Sequence, residues 1–314
     1  MPLPTVHVLL ATYNGARHLP QQWASLEAQQ GVEVVVHIGD DGSRDDTVAV
    51  LQRLEAARSG AVREVRWMHA PPRRDAGRSF MLLLAHAIAE CPQAQWFAYC
   101  DQDDIWLSGK LAAAVEVLAP RSASAPVLYG GRTLAVDEDD REQGLSPLFV
   151  QPPCFRNAIV QNIMGGNTMV MNRHAAELVA ASAGTAVVTH DWFTYQIVSG
   201  AGGLVHYDPR SWLRYRQHAH NAIGSNLGWR ALWDRFVRML HGEFRSWNEV
   251  NDAALSARVD SLVPENVQVL RAFQQARSAP SAWTRLAWLR RSSVFRQPRS
   301  QQLMLFVACL LRRV

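Results

Sequence analysis

The chain is organised around one stretch, Tyr99-Cys100-Asp101-Gln102-Asp103-Asp104-Ile105-Trp106. An apolar run that begins at Trp96 ends there in three carboxylates, and such a run beside helical patterns predicts a buried strand. The carboxylates then follow the carboxyl end of that strand, where open α/β sheets bind ligands. Neighbouring acids repel one another unless a cation or hydrogen-bond donors offset their charge.

These acids have two interpretations at this point. The Asp-x-Asp spacing suits Mg²⁺ or Mn²⁺, hard ions that take one or two carboxylates and leave positions for substrate phosphates. The same residues suit the start of a helix, because Asp is favoured at the N-cap and in the first turn. The rest of the chain has to decide between a metal site and a helix cap.

The composition is that of a globular protein with a full core, with 314 residues of which 48% are hydrophobic and 19% charged. The net charge is +4, and Lys110 is the only lysine. This weak basic excess suits phosphates or an anionic membrane surface, and it is too diffuse to indicate a nucleic-acid partner.

The sequence also indicates a cytoplasmic protein. It has no run of about 18 apolar residues and no leader-like N-terminus, so we expect neither a membrane span nor a signal peptide. Its cysteines show no paired spacing, which favours reduced thiols over zinc ligands or disulfides. They are Cys91, Cys100, Cys154 and Cys309.

Apolar strands alternate with helical patterns in the first 120 residues. The predicted strands are 6–11, 34–39, 65–69 and 96–100, and the predicted helices are 19–28, 45–54, 80–88 and 107–118. This alternation indicates βαβ units, with a mainly parallel sheet covered by helices on both faces. Right-handed crossovers place the carboxyl ends of these strands on one edge. That edge collects residues 12–14, 40–41 and 101–104.

Three polar clusters from three strand ends therefore meet at one crevice. Helix capping explains any one of them but not their convergence, so the pattern favours a ligand site. A dinucleotide or P-loop site is disfavoured, because no Gly-x-Gly-x-x-Gly follows the first strand and no Walker Gly-Lys-Ser/Thr occurs.

The second half of the chain has weaker patterns. Residues 163–171 predict a short strand whose Gly165 and Gly166 allow close approach of a ligand or another strand, two causes that the sequence does not separate. Asp191 begins a predicted helix, as a cap or as a functional acid. Single histidines on apolar elements, such as His37 and His86, are interpreted as structural.

The residues after about 225 predict helices. For residues 227–275 we expect a helical appendage packed on the preceding domain. Residues 281–314 combine tryptophans and clustered arginines with an apolar end, which predicts peripheral contact with a membrane surface. The alternative is a packed appendage whose arginines face water. Those arginines are Arg285, Arg290, Arg291, Arg296 and Arg299.

Three motifs together resemble inverting glycosyltransferases of family 2. They are Ala11-Thr12-Tyr13-Asn14-Gly15, Asp40-Asp41-Gly42-Ser43-Arg44-Asp45 and Asp101-Gln102-Asp103-Asp104-Ile105-Trp106. Within that family, the third motif and the later Tyr215-Arg216-Gln217-His218 are similar to bacterial polysaccharide enzymes often described as rhamnosyltransferases. The resemblance covers about residues 5–225.

The resemblance implies the GT-A fold, a Rossmann-like α/β architecture with a mixed, mainly parallel sheet flanked by helices. It implies a glycosyltransferase domain over residues 1–225, followed by a helical C-terminal extension over residues 226–314. The extension itself matches no family motif.

The resemblance also implies roles for individual positions. Nucleotide-binding residues would be Thr12, Tyr13, Asn14, Asp40, Asp41, Arg78, Asp101 and Gln102. Ligands of a Mg²⁺ or Mn²⁺ ion at the donor diphosphate would be Asp101, Asp103 and His218. Asp191 falls where the family places its catalytic base, although His190-Asp191 departs from the more familiar Glu-Asp pair. Weaker phosphate or acceptor contacts are Gly165, Gly166, Asn167, Trp192 and Arg216.

The expected reaction follows from these residue types. A nucleotide-diphospho-sugar leaves a diphosphate whose charge a metal offsets, and the acceptor hydroxyl needs a carboxylate base. We expect dTDP-L-rhamnose as donor and a bacterial surface glycan or its lipid-linked precursor as acceptor. The alternatives are a nucleotidyltransferase that makes sugar nucleotides and a catalytically silent scaffold for glycan assembly.

Overall fold

Four parallel strands form one half of the central sheet in the computed structural model, which describes residues 2–217 and 242–314. They are β1 (Thr5–Thr12), β2 (Glu33–Asp40), β3 (Val62–Met68) and β4 (Trp96–Cys100), arranged in the order β3-β2-β1-β4. The helices that follow them are α1 (Leu19–Glu27), α2 (Thr47–Ala56), α3 (Ala76–Glu90) and α4 (Lys110–Leu118). The predicted βαβ alternation is therefore confirmed.

The other half of the sheet is mixed in direction. Its strands are β5 (Ile105–Trp106), β6 (Val127–Val136), β7 (Glu142–Leu145), β8 (Val170–Asn172) and β9 (Leu204–Arg216). Strand β8 lies antiparallel between β4 and β6, and β9 runs parallel to β6. Strands β7 and β5 lie antiparallel to β6 and β9, respectively. The curled sheet is thus mixed but mainly parallel, as expected.

The remaining helices pack on the sheet or form the C-terminal region. They are α5 (Phe155–Ala158), α6 (Arg173–Ala180), α7 (His190–Gly200), α8 (Glu243–Ser256), α9 (Pro264–Ser278), α10 (Ala282–Ser292) and α11 (Arg299–Leu310). The predicted helix that begins with Asp191 is confirmed within one residue. The predicted helix over residues 229–240 and the boundary at 225 lie outside the described residues.

Two hydrophobic cores lie on opposite faces of the sheet, because successive side chains of a strand point to opposite faces. Leu9 of β1 belongs to one core, and Val8 and Leu10 belong to the other. The core that contains Leu9 also contains Leu255, Phe273, Leu289 and Leu305 of the C-terminal helices. These helices therefore share a hydrophobic core with the sheet.

Two sequence expectations are corrected. Residues 163–171 are not one strand, because Gly166–Thr168 forms a 3₁₀ turn and only Val170–Asn172 pairs in the sheet. Arg285 does not face water: it is 5% exposed and donates to the carbonyls of Cys309 and Leu310. Carbonyls at a helix end lack intrahelical partners, and the Arg285 guanidinium satisfies them.

Arg296 is also turned inward, where its guanidinium donates to the carbonyl of Val160 at 2.7 Å. The other three predicted arginines, Arg290, Arg291 and Arg299, are exposed. In the part of the chain that the structure describes, no helix is long and apolar enough to span a bilayer.

Candidate active site

Asp40 holds the loops after β1 and β2 together. Its carboxylate accepts hydrogen bonds from the Thr12 hydroxyl at 3.0 Å and from the amides of Gly42 and Ser43 at 3.1 and 2.9 Å. The Ser43 hydroxyl adds a further bond at 2.5 Å. The donors around Asp40 are thus supplied by the loop itself, so the structure gives this acid and the buried Thr12 a scaffolding role.

The acid loop after β4 is joined to the loop after β1 through Gln102. Its side chain accepts from the Tyr13 amide at 2.9 Å and donates to the Tyr13 carbonyl at 3.0 Å. The approach is close, because a Cβ atom on Gly15 would lie 2.1 Å from Oε1 of Gln102. Together with the bond between Thr12 and Asp40, these bonds show that the three strand ends meet at one edge of the sheet, as predicted.

Asp41 lies beside Asp40 at the end of β2. Its amide donates to the Thr12 carbonyl at 2.8 Å, and its carboxylate accepts from the Arg73 amide. Asn14 adopts a left-handed conformation with φ of 49°, which Asn tolerates better than most residues. Its side chain accepts from the Arg44 amide at 2.8 Å, so this loop has a fixed shape. The Tyr13 side chain is 46% exposed and is available to a ligand.

Three carboxylates from two segments lie close together at the acid loop. Burial raises the pKa of Asp101, and the neighbouring carboxylates of Asp103 and Asp191 raise it further. A divalent cation would reverse this repulsion, because it favours the ionised form of each acid. The donor set consists of carboxylate oxygens, which fits Mg²⁺ or Mn²⁺.

Arg216, at the end of β9, contacts the backbone of the acid loop. It is 4% exposed, and its guanidinium donates to the Asp103 carbonyl at 3.3 Å and to the Gln21 side chain at 2.5 Å. Sequence reasoning assigned Arg216 to phosphate or acceptor contact. The structure instead places its guanidinium against the backbone of a predicted metal ligand.

A buried polar layer lies under the acids. Asp104 is 1% exposed and accepts from the Asn167 side chain at 2.6 Å. The ammonium of Lys110 lies 3.4 Å from the ring centroid of Trp106, and burial lowers its pKa to about 7. Asn167, predicted as a weak ligand contact, is 4% exposed and bonds to Asp104 in this layer. The acid motif and Lys110, the sole lysine, therefore lie in the same buried layer.

Asp191 lies in the first turn of α7, where the helix dipole favours a negative charge. Its Oδ2 accepts from the Gly166 amide at 3.2 Å and its Oδ1 from the Trp192 amide at 2.7 Å. The predicted strand glycine is thus a donor that orients the predicted base. The carboxylate is 9% exposed, and its charge acts on Asp101.

His190 is a neighbour of the site that sequence reasoning did not single out. Its ring stacks on Phe80 with centroids 4.2 Å apart and meets the edge of Tyr99 at 4.6 Å. Burial lowers the pKa of His190, so the ring is held neutral beside Asp191. No local sequence signal marks this position, since Phe80 and Tyr99 come from α3 and β4.

The other predicted residues are distributed around the crevice. Arg78 is exposed on the first turn of α3, next to its N-cap Asp75. The Trp192 indole is 6% exposed and donates to the Ala158 carbonyl at 2.7 Å, which opposes the predicted acceptor contact. Gly165 precedes the 3₁₀ turn that carries Gly166. His218 lies outside the described residues.

A mainly parallel sheet with acids gathered at its strand ends is the arrangement expected of a GT-A fold. The sequence profile of Glycosyl transferase family 2 matches residues 7–175, more than half of the chain, so the chain belongs to this family of glycosyltransferases. Membership favours glycosyl transfer over the nucleotidyltransferase and scaffold alternatives.

The individual proteins to which the chain is similar share less than a quarter of their aligned residues with it. The chain is 24% identical over 262 residues to the dTDP-rhamnosyl transferase RfbG of Shigella flexneri, covering 81% of this chain and 86% of that protein. The mannosyltransferase PcManGT of Pyrobaculum calidifontis, in complex with GDP-Man and Mn²⁺, is 17% identical. It aligns with a TM-score of 0.49 over 100% of this chain and 86% of its own. S. aureus TarS 1–349 in complex with UDP-GlcNAc is 13% identical, with a TM-score of 0.48 over 92% and 88% of the two chains.

Proposed function

We propose that this glycosyltransferase is a metal-dependent inverting enzyme that transfers L-rhamnose from dTDP-L-rhamnose to a hydroxyl group. The observation that carries the proposal is the grouping of Asp101 with Asp103 and Asp191, whose charges both raise the pKa of Asp101. The similarity to a dTDP-rhamnosyl transferase supports the choice of donor.

Each acid has a separate task in this proposal. Asp101 and Asp103 hold Mg²⁺ or Mn²⁺, which as a Lewis acid offsets charge on the leaving diphosphate. Asp191 accepts the proton of the acceptor hydroxyl as that oxygen attacks the anomeric carbon. Attack opposite the leaving group inverts the configuration of that carbon.

The nucleotide binds along the loops after β1 and β2. The exposed Tyr13 ring offers a stacking surface, and Asp41 accepts from the base. Asp40, Asn14 and Gln102 contribute indirectly, because their side chains fix the loop backbone. Arg78 remains a candidate for the phosphate groups, as an exposed cation at the start of α3.

The acceptor in this proposal is a bacterial surface glycan, such as an O-antigen, or its lipid-linked precursor. The enzyme works in the cytoplasm on the inner face of the membrane. We keep residues 1–225 as the transferase domain and residues 226–314 as its extension.

The C-terminal helices support this location. Residues 281–314 contain no Asp or Glu, and their exposed arginines are Arg290, Arg291, Arg299, Arg312 and Arg313. Trp283 is 82% exposed, Leu303 66% and Leu311 52%. Exposed apolar side chains among uncompensated cations suit an anionic lipid surface. We call these three apolar residues and five arginines the basic apolar surface.

A thermal-shift comparison of dTDP-, UDP- and GDP-sugars tests the proposed donor. A ligand that binds only the native state raises the melting temperature. We expect dTDP-L-rhamnose with Mn²⁺ to give the largest shift, and Mn²⁺ or the sugar nucleotide alone to give smaller ones. A larger shift with a UDP- or GDP-sugar would overturn the donor assignment.

A further inference from the structure

A second cluster of metal-binding side chains lies under α3, remote from the acids. It consists of His7 on β1, His37 on β2 and Cys91 directly after α3, with 8%, 1% and 9% exposure. Nδ1 of His7 lies 2.8 Å from Nε2 of His37, and one ligand atom of each residue lies within 4.8 Å of the other two. Three separate elements thus bring imidazole and thiol groups to one buried point.

These distances suit a tetrahedral cation after small side-chain rotations. Zinc–nitrogen bonds of about 2.0–2.1 Å and a zinc–sulfur bond of about 2.3 Å put tetrahedral ligand atoms roughly 3.3–3.6 Å apart. The two imidazole nitrogens lie 2.8 Å apart and no ligand atom is more than 4.8 Å from another, so small shifts would reach that separation. The imidazole nitrogens and the sulfur are borderline to soft donors, which select Zn²⁺ over the hard ions that suit the carboxylate site.

Unpaired nitrogens provide an independent observation. Within residues 2–217 and 242–314, Nδ1 of His37 is buried without a hydrogen-bond partner, and so is Nδ1 of His86 on α3. His86 is close enough to His37 to lower its pKa. Buried polar atoms normally have hydrogen-bond partners. The bond between His7 and His37 uses Nε2 of His37, so it supplies no partner to either of these two Nδ1 atoms.

Burial of the cluster disfavours charge on its members. It lowers the pKa of His7 to about 4 and that of His37 to about 3. Burial raises the pKa of Cys91, and Arg66 opposes this effect as a nearby positive charge. A metal ion that binds this sulfur would have to displace the thiol proton.

We propose that His7, His37 and Cys91 form a structural Zn²⁺ site that ties α3 to β1 and β2, with His86 or water as fourth ligand. The site does not take part in the transfer reaction, because His7 lies five residues before Thr12 on β1, about 17 Å along the strand. Its effect reaches the crevice through α3, which carries Phe80 under the His190 ring.

Cobalt substitution tests the proposal on the intact chain. The protein is stripped with a chelator and titrated with Co²⁺ without a sugar nucleotide. We expect one equivalent to give an intense thiolate-to-cobalt absorption band together with tetrahedral visible bands, and Zn²⁺ to remove both. Carboxylates give no thiolate band, so Co²⁺ at Asp101 and Asp103 does not mimic this result. Absence of the band in the wild-type protein overturns the proposal.

Variants then assign the ligands. Cys91→Ser should abolish the thiolate band, whereas Cys154→Ser, which changes a cysteine outside the cluster, and Asp103→Ala should keep it. Zn²⁺ should also raise the melting temperature of the wild-type protein more than that of His37→Gln. A band that survives in Cys91→Ser, or a wild-type melting temperature that does not respond to Zn²⁺, contradicts the assignment even if one variant fails to fold.

Discussion

The amide of Gly166 donates a hydrogen bond to Oδ2 of Asp191 at 3.2 Å, which links the turn before β8 to the first turn of α7. The contact requires glycine, because a Cβ atom at this position would lie 2.4 Å from Nε2 of His190. The carboxylate proposed as the base is therefore oriented by a backbone group that only a residue without a side chain can bring so close.

Replacement of Asp191 by Asn separates binding from chemistry. The amide keeps the shape of the side chain but does not accept a proton, so we expect turnover to fall by about 10²–10⁴-fold. Donor affinity, measured by calorimetry with Mn²⁺, should stay within a few-fold of wild type. Turnover that survives in this variant would show that another residue is the base.

Replacement of Gly166 by Ala should displace His190 and with it the orientation of Asp191. We expect a loss of about 1–3 kcal/mol in unfolding free energy and a lower turnover at saturating donor. Gly184→Ala is the matched control, since a Cβ atom there meets nothing within 4 Å. In a His190→Ala background the clash is absent, so the further change Gly166→Ala should cost little stability. Equal stability of Gly166→Ala and wild type would refute the steric argument.

Asp103→Ala tests the proposed metal site. Loss of one carboxylate ligand should remove the Mn²⁺-dependent part of nucleoside diphosphate binding, as measured by calorimetry with and without chelator. Asp260→Ala, at an exposed position in the C-terminal region, should bind as wild type does. Unchanged Mn²⁺-dependent affinity in Asp103→Ala would remove this residue from the metal site.

Asp208 should make the stability of the fold depend on pH. Burial pushes its pKa upward, but hydrogen bonds from Arg210, Tyr129 and Trp212 outweigh burial and hold the pKa below its usual value. As pH falls below about 4, the unfolded chain takes up this proton first, so the contribution of Asp208 to stability is present above that pH and is lost below it.

The measurement is denaturant unfolding of wild type and Asp208→Asn. We expect the variant to be less stable by about 2 kcal/mol at neutral pH, since a hydrogen-bonded buried carboxylate is lost. The difference should shrink as pH falls below about 4. Asp139→Asn changes an exposed acid and should have little effect at either pH. A difference independent of pH would mean that the Asp208 charge does not stabilise the fold.

Substitutions on the basic apolar surface test membrane contact better than a truncation, which would remove the buried Leu289 and Leu305. The wild-type protein should float with anionic vesicles and not with neutral ones, and salt should weaken the binding. Trp283→Ser/Leu303→Ser/Leu311→Ser should bind less, whereas Val150→Ser, at a position 79% exposed elsewhere, should bind as wild type does. Wild-type protein that never floats would show that these helices only pack on the domain.

The sequence was sufficient for the four parallel strands of the first half of the chain and for the edge at which their carboxyl ends meet. The runs that became β1, β2 and β4 are buried on both faces, so they are almost continuously apolar and easy to recognise. Right-handed crossovers then bring the residues that follow these strands to one edge of the sheet. This placement does not depend on what their side chains contact.

Side-chain partners were not predictable from local pattern. Asn167 bonds Asp104, 63 residues earlier, and Arg216 bonds Gln21, 195 residues earlier. His37 was interpreted as a structural histidine because nothing near it in sequence marks a partner. Only the register of β1 against β2, which pairs Leu9 with His37, brings His7 to its ring. Such contacts depend on register and helix placement, which composition and periodicity do not encode.

The position of Lys110 has a practical consequence. Because the chain has a single lysine and the fold encloses it at 1% exposure, reagents that acylate amines find no accessible lysine in the folded protein and one in the unfolded chain. Pulse labelling at this amine therefore reports the opening of the segment beneath the acid motif, without any engineered probe.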